Sequence, residues 1–313
     1  MATLNSPLPK RSQAAALGAR AVTESVFGKA SVQLKVKNLA FYGILLTALT
    51  IATLSIAAIL IWSIVEGHPR LDLNLLVNNP SSISPETAGY RPAILGSTYL
   101  IAGVILFIVP IGVASAVYME LFANREKWYN RFIELNIQNL AGVPSIVFGI
   151  LGLAFIVRGP LSLGFVVAAG SLTVALLVLP TVILASREAI RAVPSSILEG
   201  SLALGATLWQ SVRRQVLSAA FPGILTGVIL AVARAIGEAA PLLLVGAVTF
   251  VTFDPKYLEG GYSALPVMIY NYAGRPQEEF HTLAAAGILV MLLLLMSINS
   301  IAIWLRARSE QNW

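Results

Sequence analysis

Six long runs of apolar residues, separated by polar stretches, dominate this 313-residue chain. A membrane-spanning helix needs about 20 predominantly apolar residues, because the hydrocarbon core of a bilayer is roughly 30 Å thick. The runs meet this length, and they cover residues 39–65, 93–119, 140–157, 161–185, 222–253 and 283–305. In lipid each backbone polar group must be satisfied within its own segment, so the runs are predicted to be helices. The pattern predicts an all-α polytopic membrane protein with six transmembrane helices.

The polar stretches set the limits of the remaining segments. Residues 1–38 form a basic N-terminal segment, 39–306 form the transmembrane domain and 307–313 form a short tail. The first apolar run is too long for the core of a signal peptide, and no small-residue cleavage pattern follows it. We therefore expect this run to be retained as the first spanning helix.

The composition supports a lipid environment. Of all residues 57% are hydrophobic and 12% are charged, whereas a soluble domain carries about 25% charged residues. So few charges cannot cover a water-soluble surface, which excludes soluble enzymes and disordered chains. The chain has no cysteine and only two histidines, so we expect no thiolate nucleophile, no metal centre and no catalytic site.

The distribution of Lys and Arg orients the chain in the membrane. With six spans both termini lie on one side, and that side holds 15 of these residues, against 5 in the segments on the opposite side. Acidic residues divide 7 against 7 between the same two sides. By the positive-inside rule both termini are predicted to be cytoplasmic. The net charge of +6 is therefore an orientation signal, and the expected partner is membrane lipid rather than nucleic acid.

The cytoplasmic loop between spans four and five carries signals for two short helices. Ser196 and Glu199 have the spacing of a capping box, which predicts a helix start. Gly205 is predicted to end this helix in a left-handed conformation, and Thr207 with Gln210 repeats the capping-box spacing for a second helix. A helix of about nine residues is marginal in isolation, so we expect the first helix to dock against something.

The same loop resembles the EAA motif of ABC importer permeases, whose helix-turn-helix couples to an ATPase subunit. The resemblance starts at Glu199 and includes Gly205 and Leu217. It departs from the usual pattern at two places, since Gly200-Ser201 replaces Ala-Ala after the glutamate and Ser218 replaces the proline after the leucine. It implies coupling helices at about 195–217. The implied ATPase-coupling residues are Glu199, Gly200, Ser201, Ala203, Leu204 and Gly205. The alternative is an amphipathic interfacial helix pair that has no protein partner.

Four strings narrow the resemblance, at 110–123, 141–153, 199–207 and 234–244. Together they are similar to the A-subunit (PstA-type) permeases of phosphate ABC importers, over about residues 90–300. The resemblance implies the type I ABC importer permease fold and translocation of inorganic phosphate across the cytoplasmic (inner) membrane. It also implies three kinds of partner: a homologous C-type permease subunit, two ATPase subunits and an extracytoplasmic phosphate-binding protein. ATP and Mg would be used by the ATPase, since this chain lacks a G-x-x-x-x-G-K-[ST] loop and is expected to bind no cofactor itself.

Arg234 and Glu238 are the only ionisable residues in the middle of a predicted span, where a charge costs about 2.5 to 3.5 kcal/mol. At positions i and i+4 they share one helix face and can form an ion pair. One interpretation is a structural pair that fixes helix packing. The other is a lining of the solute path, where the guanidinium matches phosphate oxygens. Glu238 would then orient Arg234 and accept a hydrogen bond from protonated phosphate, which sulfate cannot donate.

Asn139 is a third candidate for the solute path. It begins span three together with Gly142 and Pro144, and such a polar, helix-breaking entry is tolerated where backbone lines a cavity. Ordinary helix packing is the alternative interpretation. Three charges at the cytoplasmic end of span four are interpreted as snorkelling or loop charges, with a role in phosphate exit as the alternative, namely Arg187, Glu188 and Arg191.

Three other functional classes are alternatives to an ATP-driven phosphate importer. The first is an ATP-independent anion transporter or channel. Such transporters are often built from two inverted repeats with a broken helix in each, and the sequence shows no corresponding pair of broken segments. An ABC permease for another oxyanion fits the same motifs. An intramembrane hydrolase would need a serine and histidine pair or two aspartates within the spans, and the predicted spans hold neither.

Overall fold

The computed structural model describes residues 32–124, 126–247 and 250–309. The chain is predominantly helical in these ranges, and a single bridge between Ala247 and Tyr262 is the β structure that they contain. The helices are α1 (Val32–Gly67), α2 (Leu73–Val77), α3 (Arg91–Phe122), α4 (Trp128–Ala141), α5 (Ser145–Val157), α6 (Val167–Arg191), α7 (Ser195–Ala203), α8 (Leu208–Gly237), α9 (Ala240–Leu244), α10 (Leu265–Ala273) and α11 (Glu278–Ser309). The predicted all-α class is confirmed.

In the part of the chain that the structure describes, five helical segments are long and apolar enough to cross a membrane: Val36–Arg70, α3, α6, α8 and Glu278–Arg308. Helices α4 and α5 qualify together as a sixth, but they are bent by 111° at the break between them. Pro144 explains the break, because proline lacks an N–H and its ring clashes with the carbonyl four residues earlier. The third predicted span is therefore not a single straight helix over 140–157.

The chain divides into two units, Met1–Ile61 and Trp62–Trp313. The described part of the first unit belongs to α1. There the hydroxyls of Thr47, Thr50 and Thr53 donate to carbonyl oxygens four residues earlier, at 2.8 to 2.9 Å. This back-bonding satisfies hydroxyl groups that find no water within lipid, so the polar residues of α1 are compatible with a membrane span.

The second unit is built around α3, α6 and α8, which pack closely through small residues. A Cβ placed on Gly223 of α8 would lie 2.7 Å from the Cβ of Ala189, and one on Gly227 would overlap Ala185. Such residues let helix backbones approach each other in a membrane. Gly223 and Gly227 therefore serve helix packing, while a Cβ on Gly237 would contact nothing within 4 Å.

Helix α8 ends at Gly237, so the predicted run 222–253 is not one helix. Pro241 accounts for the ending, because its ring would clash with the Gly237 carbonyl and it offers no N–H to continue the helix. Glu238 follows in an extended conformation, with φ −77° and ψ 115°. The pair predicted to lie in mid-helix therefore lies at a helix break.

Helix α6 covers Val167–Arg191 rather than the predicted 161–185. The preceding residues form a turn in which Ser162 and Gly164 have φ of 45° and 75°. The shift brings Arg187 and Arg191 into the last turns of the helix instead of the loop beyond it.

Residues 66–92 fold against α10 and α11 on the predicted extracytoplasmic side. The Arg70 guanidinium donates to the carbonyls of Pro85 and Ala88, at 3.1 and 2.8 Å. Tyr272 packs edge-on to Tyr90, with ring centroids 5.7 Å apart. Burial raises the pKa of Tyr272 to about 12, so its hydroxyl stays protonated at neutral pH. These contacts give order to a segment outside the sequence motifs.

Two predicted segments are described only in part. Of the basic segment 1–38 the structure describes 32–38, and of the tail 307–313 it describes 307–309. The remaining residues of both segments lie outside the described ranges. The cytoplasmic location of both termini stays a prediction.

Candidate functional site

Arg234 and Glu238 form the predicted ion pair across the break at the end of α8. Arg234 Nε lies 3.3 Å from Glu238 Oε1, and the side chains are 42% and 16% exposed. The distance is that of a weak hydrogen bond, since the shortest charged pairs approach to about 2.7 to 2.9 Å. The pair is therefore formed but not sequestered, and one flank of Arg234 faces outward.

Arg234 keeps most of its hydrogen-bonding capacity. An arginine carries five N–H donors, and the bond to Glu238 uses the one on Nε. Within the described residues no bond occupies the four donors on Nη1 and Nη2. A planar set of free donors at a helix break suits a tetrahedral oxyanion, whose oxygens accept two parallel bonds from a guanidinium.

The break at Glu238 lies beside the second half of the bent span. Helix α9, which begins two residues after Glu238, packs on α5, and a Cβ on Gly149 would lie 2.7 Å from the Cα of Pro241. Only glycine permits this approach, because any side chain would meet backbone atoms. The structure thus brings two interrupted spans together, which is the arrangement in which irregular backbone is tolerated at membrane depth.

Asn139 lies near the end of α4, and its backbone oxygen accepts a hydrogen bond from Gly142 N at 3.0 Å. Its side chain is exposed. Within the described ranges no hydrogen bond joins Asn139 to Arg234 or Glu238. The polar, helix-breaking character predicted for this stretch is confirmed, while a place for Asn139 in the solute path stays a prediction.

The predicted coupling segment forms a projecting helix, α7. Glu199, Gly200, Ala203, Leu204 and Gly205 are exposed, and Leu204 reaches 91%. An apolar side chain so exposed next to a short helix is typical of a surface that a partner covers.

A turn and a cap fix α7 relative to α8. Gly205 has φ +86°, the left-handed conformation predicted for it. Ser201 and Ser211 join the two helices through their hydroxyls, 2.9 Å apart. Thr207 and Gln210 form the predicted capping box, with both bonds present.

The start of α7 differs from the prediction. The helix begins at Ser195 with Pro194 as its N-cap residue, and no side chain caps it. The capping box predicted for Ser196 and Glu199 is therefore wrong. Because Ser196 already lies within the helix, its hydroxyl cannot serve the first free N–H groups. The Glu199 carboxylate is left exposed.

A network of charges lies at the base of α7, where α6 ends. Arg187 Nη2 donates to Glu134 Oε1 at 2.9 Å, and Arg187 Nε lies 3.5 Å from Glu120 Oε2. Arg191 binds both oxygens of Glu120 at 3.1 Å and also Glu188 at 3.0 Å. The network links α3, α4 and α6 just before the chain enters α7.

Sequence reasoning missed this network. Arg187 is 5% exposed, so the interpretation of Arg187 as a snorkelling or loop charge is wrong, whereas the Arg191 side chain is 46% exposed. A buried arginine needs a carboxylate partner. Glu120 could have suggested the network, because it is an acidic residue at the end of an apolar run on the same predicted side of the membrane. Its distance from Arg187 in sequence, however, offered no way to pair the two residues.

Comparisons with known proteins support the fold and the class of protein. Residues 108–311 match the family model for binding-protein-dependent transport system inner membrane components. The probable ABC transporter permease protein YqgH of Bacillus subtilis is 31% identical over 75% of this chain and 77% of its own length. The phosphate transport system permease protein PstA of Haemophilus influenzae is 30% identical over 85% of this chain and 92% of its own.

Solved structures agree at the level of the fold. An inward-facing MetNI methionine ABC transporter chain superposes with a TM-score of 0.56 at 16% identity, covering 70% of this chain and 94% of that one. A chain of a bacterial ABC transporter that imports alginate gives 0.53 at 13% identity, covering 88% and 100%. The predicted ABC importer permease fold is confirmed.

Proposed function

Because the chain belongs to the family of binding-protein-dependent transport system inner membrane components, we propose that it is the permease subunit of an ATP-driven importer that carries inorganic phosphate across the cytoplasmic membrane. As a member of this family it is a multi-pass transport component, not a catalyst, and it works with ATPase and substrate-binding components. Relatives named as phosphate permeases align along most of the chain. This alignment is the observation that carries the choice of solute.

The site at the end of α8 fits that solute chemically. Arg234 offers free donors on Nη1 and Nη2 to phosphate oxygens, and Glu238 holds the guanidinium through Nε. Phosphate at neutral pH is partly monoanionic and can donate its proton to the second Glu238 oxygen, which sulfate cannot do. A single arginine also binds weakly enough for release, as transport requires. Asn139 is proposed as a further polar contact along the path.

The proposed assembly supplies what this chain lacks. A homologous C-type permease subunit completes the path, and two ATPase subunits bind ATP and Mg. An extracytoplasmic phosphate-binding protein delivers the solute. The ATPase docks on α7, through Glu199, Gly200, Ser201, Ala203, Leu204 and Gly205. Both termini lie in the cytoplasm, in keeping with the distribution of Lys and Arg.

Uptake of labelled phosphate tests the proposal, in cells that carry or lack this chain and with unlabelled sulfate and molybdate as competitors. We expect uptake to depend on the chain and to resist both competitors. Equal uptake without the chain, or competition by sulfate as strong as by phosphate, would exclude phosphate as the solute. Purification of the detergent-solubilised complex without an ATPase subunit would overturn the proposed assembly.

A further inference from the structure

An apolar groove lies between α3 and the first half of α8. Its volume is about 570 Å³, within the range of roughly 300 to 1,000 Å³ that small-molecule sites occupy. The groove is lined by apolar side chains, among them Val113, Val117 and Phe122 of α3 and Trp209, Phe221 and Leu225 of α8. Such a groove in a membrane protein suits a hydrocarbon chain.

Two arginines mark one end of the groove. Arg213 and Arg214 lie in the wide turn Val212–Val216, between Trp209 and Leu217, which both line the groove. Because residues on both sides of this turn line the groove, the turn that carries the two arginines lies at the groove's end. Both arginines are exposed, and neither forms an ion pair with any residue that the structure describes.

We propose that this groove binds one anionic phospholipid, with an acyl chain along α3 and α8 and the headgroup phosphate on Arg213 and Arg214. A guanidinium group binds phosphate through two parallel N–H···O bonds. The leaflet on the cytoplasmic side of the membrane carries the anionic lipids. Trp209 fits the same placement, because tryptophan favours the interface between chains and headgroups. A helix of a partner subunit would fill the apolar part but would leave the arginines without an anion.

The inference rests on the proposed cytoplasmic position of the loop that contains Arg213 and Arg214, and it does not depend on which solute is transported. It can therefore be tested without a transport assay. The complex is purified into nanodiscs of phosphatidylethanolamine that contain a fixed minor fraction of brominated phosphatidylglycerol or of brominated phosphatidylethanolamine. Bromine quenches nearby tryptophan fluorescence, and the difference between the wild type and Trp209→Phe isolates Trp209 from the other four tryptophans.

We expect brominated phosphatidylglycerol to quench Trp209 several-fold more strongly than the brominated neutral lipid does. In R213Q/R214Q this preference should disappear, so that the two brominated lipids quench Trp209 equally, because each arginine contributes about 1 kcal/mol to the attraction of an anionic lipid. The control K127Q/R131Q removes the same charge at the start of α4, from two residues that do not line the groove, and should retain the preference. Ala114→Phe, which fills the groove, should reduce quenching by both lipids.

Three results would overturn the proposal. Equal quenching by the two lipids in the wild type would mean that the groove does not select an anionic headgroup. No quenching of Trp209 by either lipid would mean that a protein partner covers the groove in the assembled complex. Loss of preference in K127Q/R131Q as well would mean that bulk charge attracts the lipid rather than this arginine pair.

Discussion

Arg187 Nε lies 3.5 Å from Glu120 Oε2, and the two side chains are only 6% and 7% exposed. The pair joins the end of α6 to the end of α3, and Arg187 also holds Glu134 of α4 at 2.9 Å. Helix α7, the proposed ATPase contact, starts four residues after α6 ends. Buried ion pairs therefore connect α3, α4 and α6, the helices to which a movement of α7 would be transmitted.

Replacing Arg187 by Gln should destabilise the complex markedly. Removing one partner of a buried pair costs about 3 to 5 kcal/mol, and we expect the lower end of this range because Arg191 still binds both oxygens of Glu120. Thermal unfolding of the purified complex measures the loss. Glu188→Gln is the control, since its side chain is 69% exposed and an exposed pair contributes about 0 to 1 kcal/mol. Equal losses in both variants would contradict a structural role specific to Arg187.

Replacing Arg234 by Gln should abolish phosphate uptake while the complex still assembles. The side chain is 42% exposed, so its ion pair adds at most about 1 kcal/mol to stability, whereas its free donors are proposed to bind the solute. Arg234→Lys should retain only part of the uptake, because an ammonium lacks the planar fork. Labelled phosphate uptake measures both variants.

Lys256→Gln provides the matched control for Arg234. It breaks an i, i+3 ion pair with Glu259 at 3.0 Å, both side chains being 74% exposed. Its uptake should equal that of the wild type. Normal uptake in Arg234→Gln would instead assign the Arg234 pair a purely structural role.

Gly205→Val should uncouple ATP hydrolysis from transport. Gly205 has φ +86°, and a β-branched residue held there costs about 1 to 3 kcal/mol, so the turn between α7 and α8 should shift. The measurement is the ratio of ATP hydrolysed to phosphate transported. Gly164→Val imposes similar backbone strain at φ +75° outside the coupling segment, and should leave the ratio unchanged. A normal ratio in Gly205→Val would place the docking helix elsewhere.

Local signals predicted the parts of the structure that short stretches of chain determine. Thr207 and Gln210 formed their capping box, Gly205 took its left-handed turn, and Arg234 met Glu238, because each pair or turn spans at most five residues. The apolar runs predicted the spans for the same reason, since lipid compatibility is a property of each segment alone.

The features that the sequence did not predict depend on distant partners or on a single proline. Glu120 and Arg187 are 67 positions apart, and no local pattern joins them. Pro241 ends α8 inside a run in which Arg234 and Glu238 are the only charged interruptions, so hydropathy gave no boundary there. Ser196 has the spacing of an N-cap residue with Glu199, but the helix already begins at Ser195, and Pro194 is its N-cap residue.

Gly149→Ala should impair uptake by separating α5 from α9. The added Cβ would lie 2.7 Å from the Cα of Pro241, and overpacking of this kind costs about 1 to 3 kcal/mol. Because Pro241 follows the break at Glu238, the shift should reach the proposed solute site. Gly261→Ala is the control, since a Cβ there contacts nothing within 4 Å. Unchanged uptake in Gly149→Ala would separate the α5–α9 contact from the solute path.

Cysteine labelling should establish the orientation of the chain. The natural sequence has no cysteine, so each introduced thiol is the single target for a membrane-impermeant maleimide. Ser84→Cys should react in intact cells, because residue 84 is exposed and the distribution of Lys and Arg places its loop outside. Glu126→Cys should react only after permeabilisation, because residue 126 is exposed and lies in a loop that is predicted to be cytoplasmic, outside the proposed ATPase contact. The reverse pattern would invert the topology, and the ATPase could then not dock on α7.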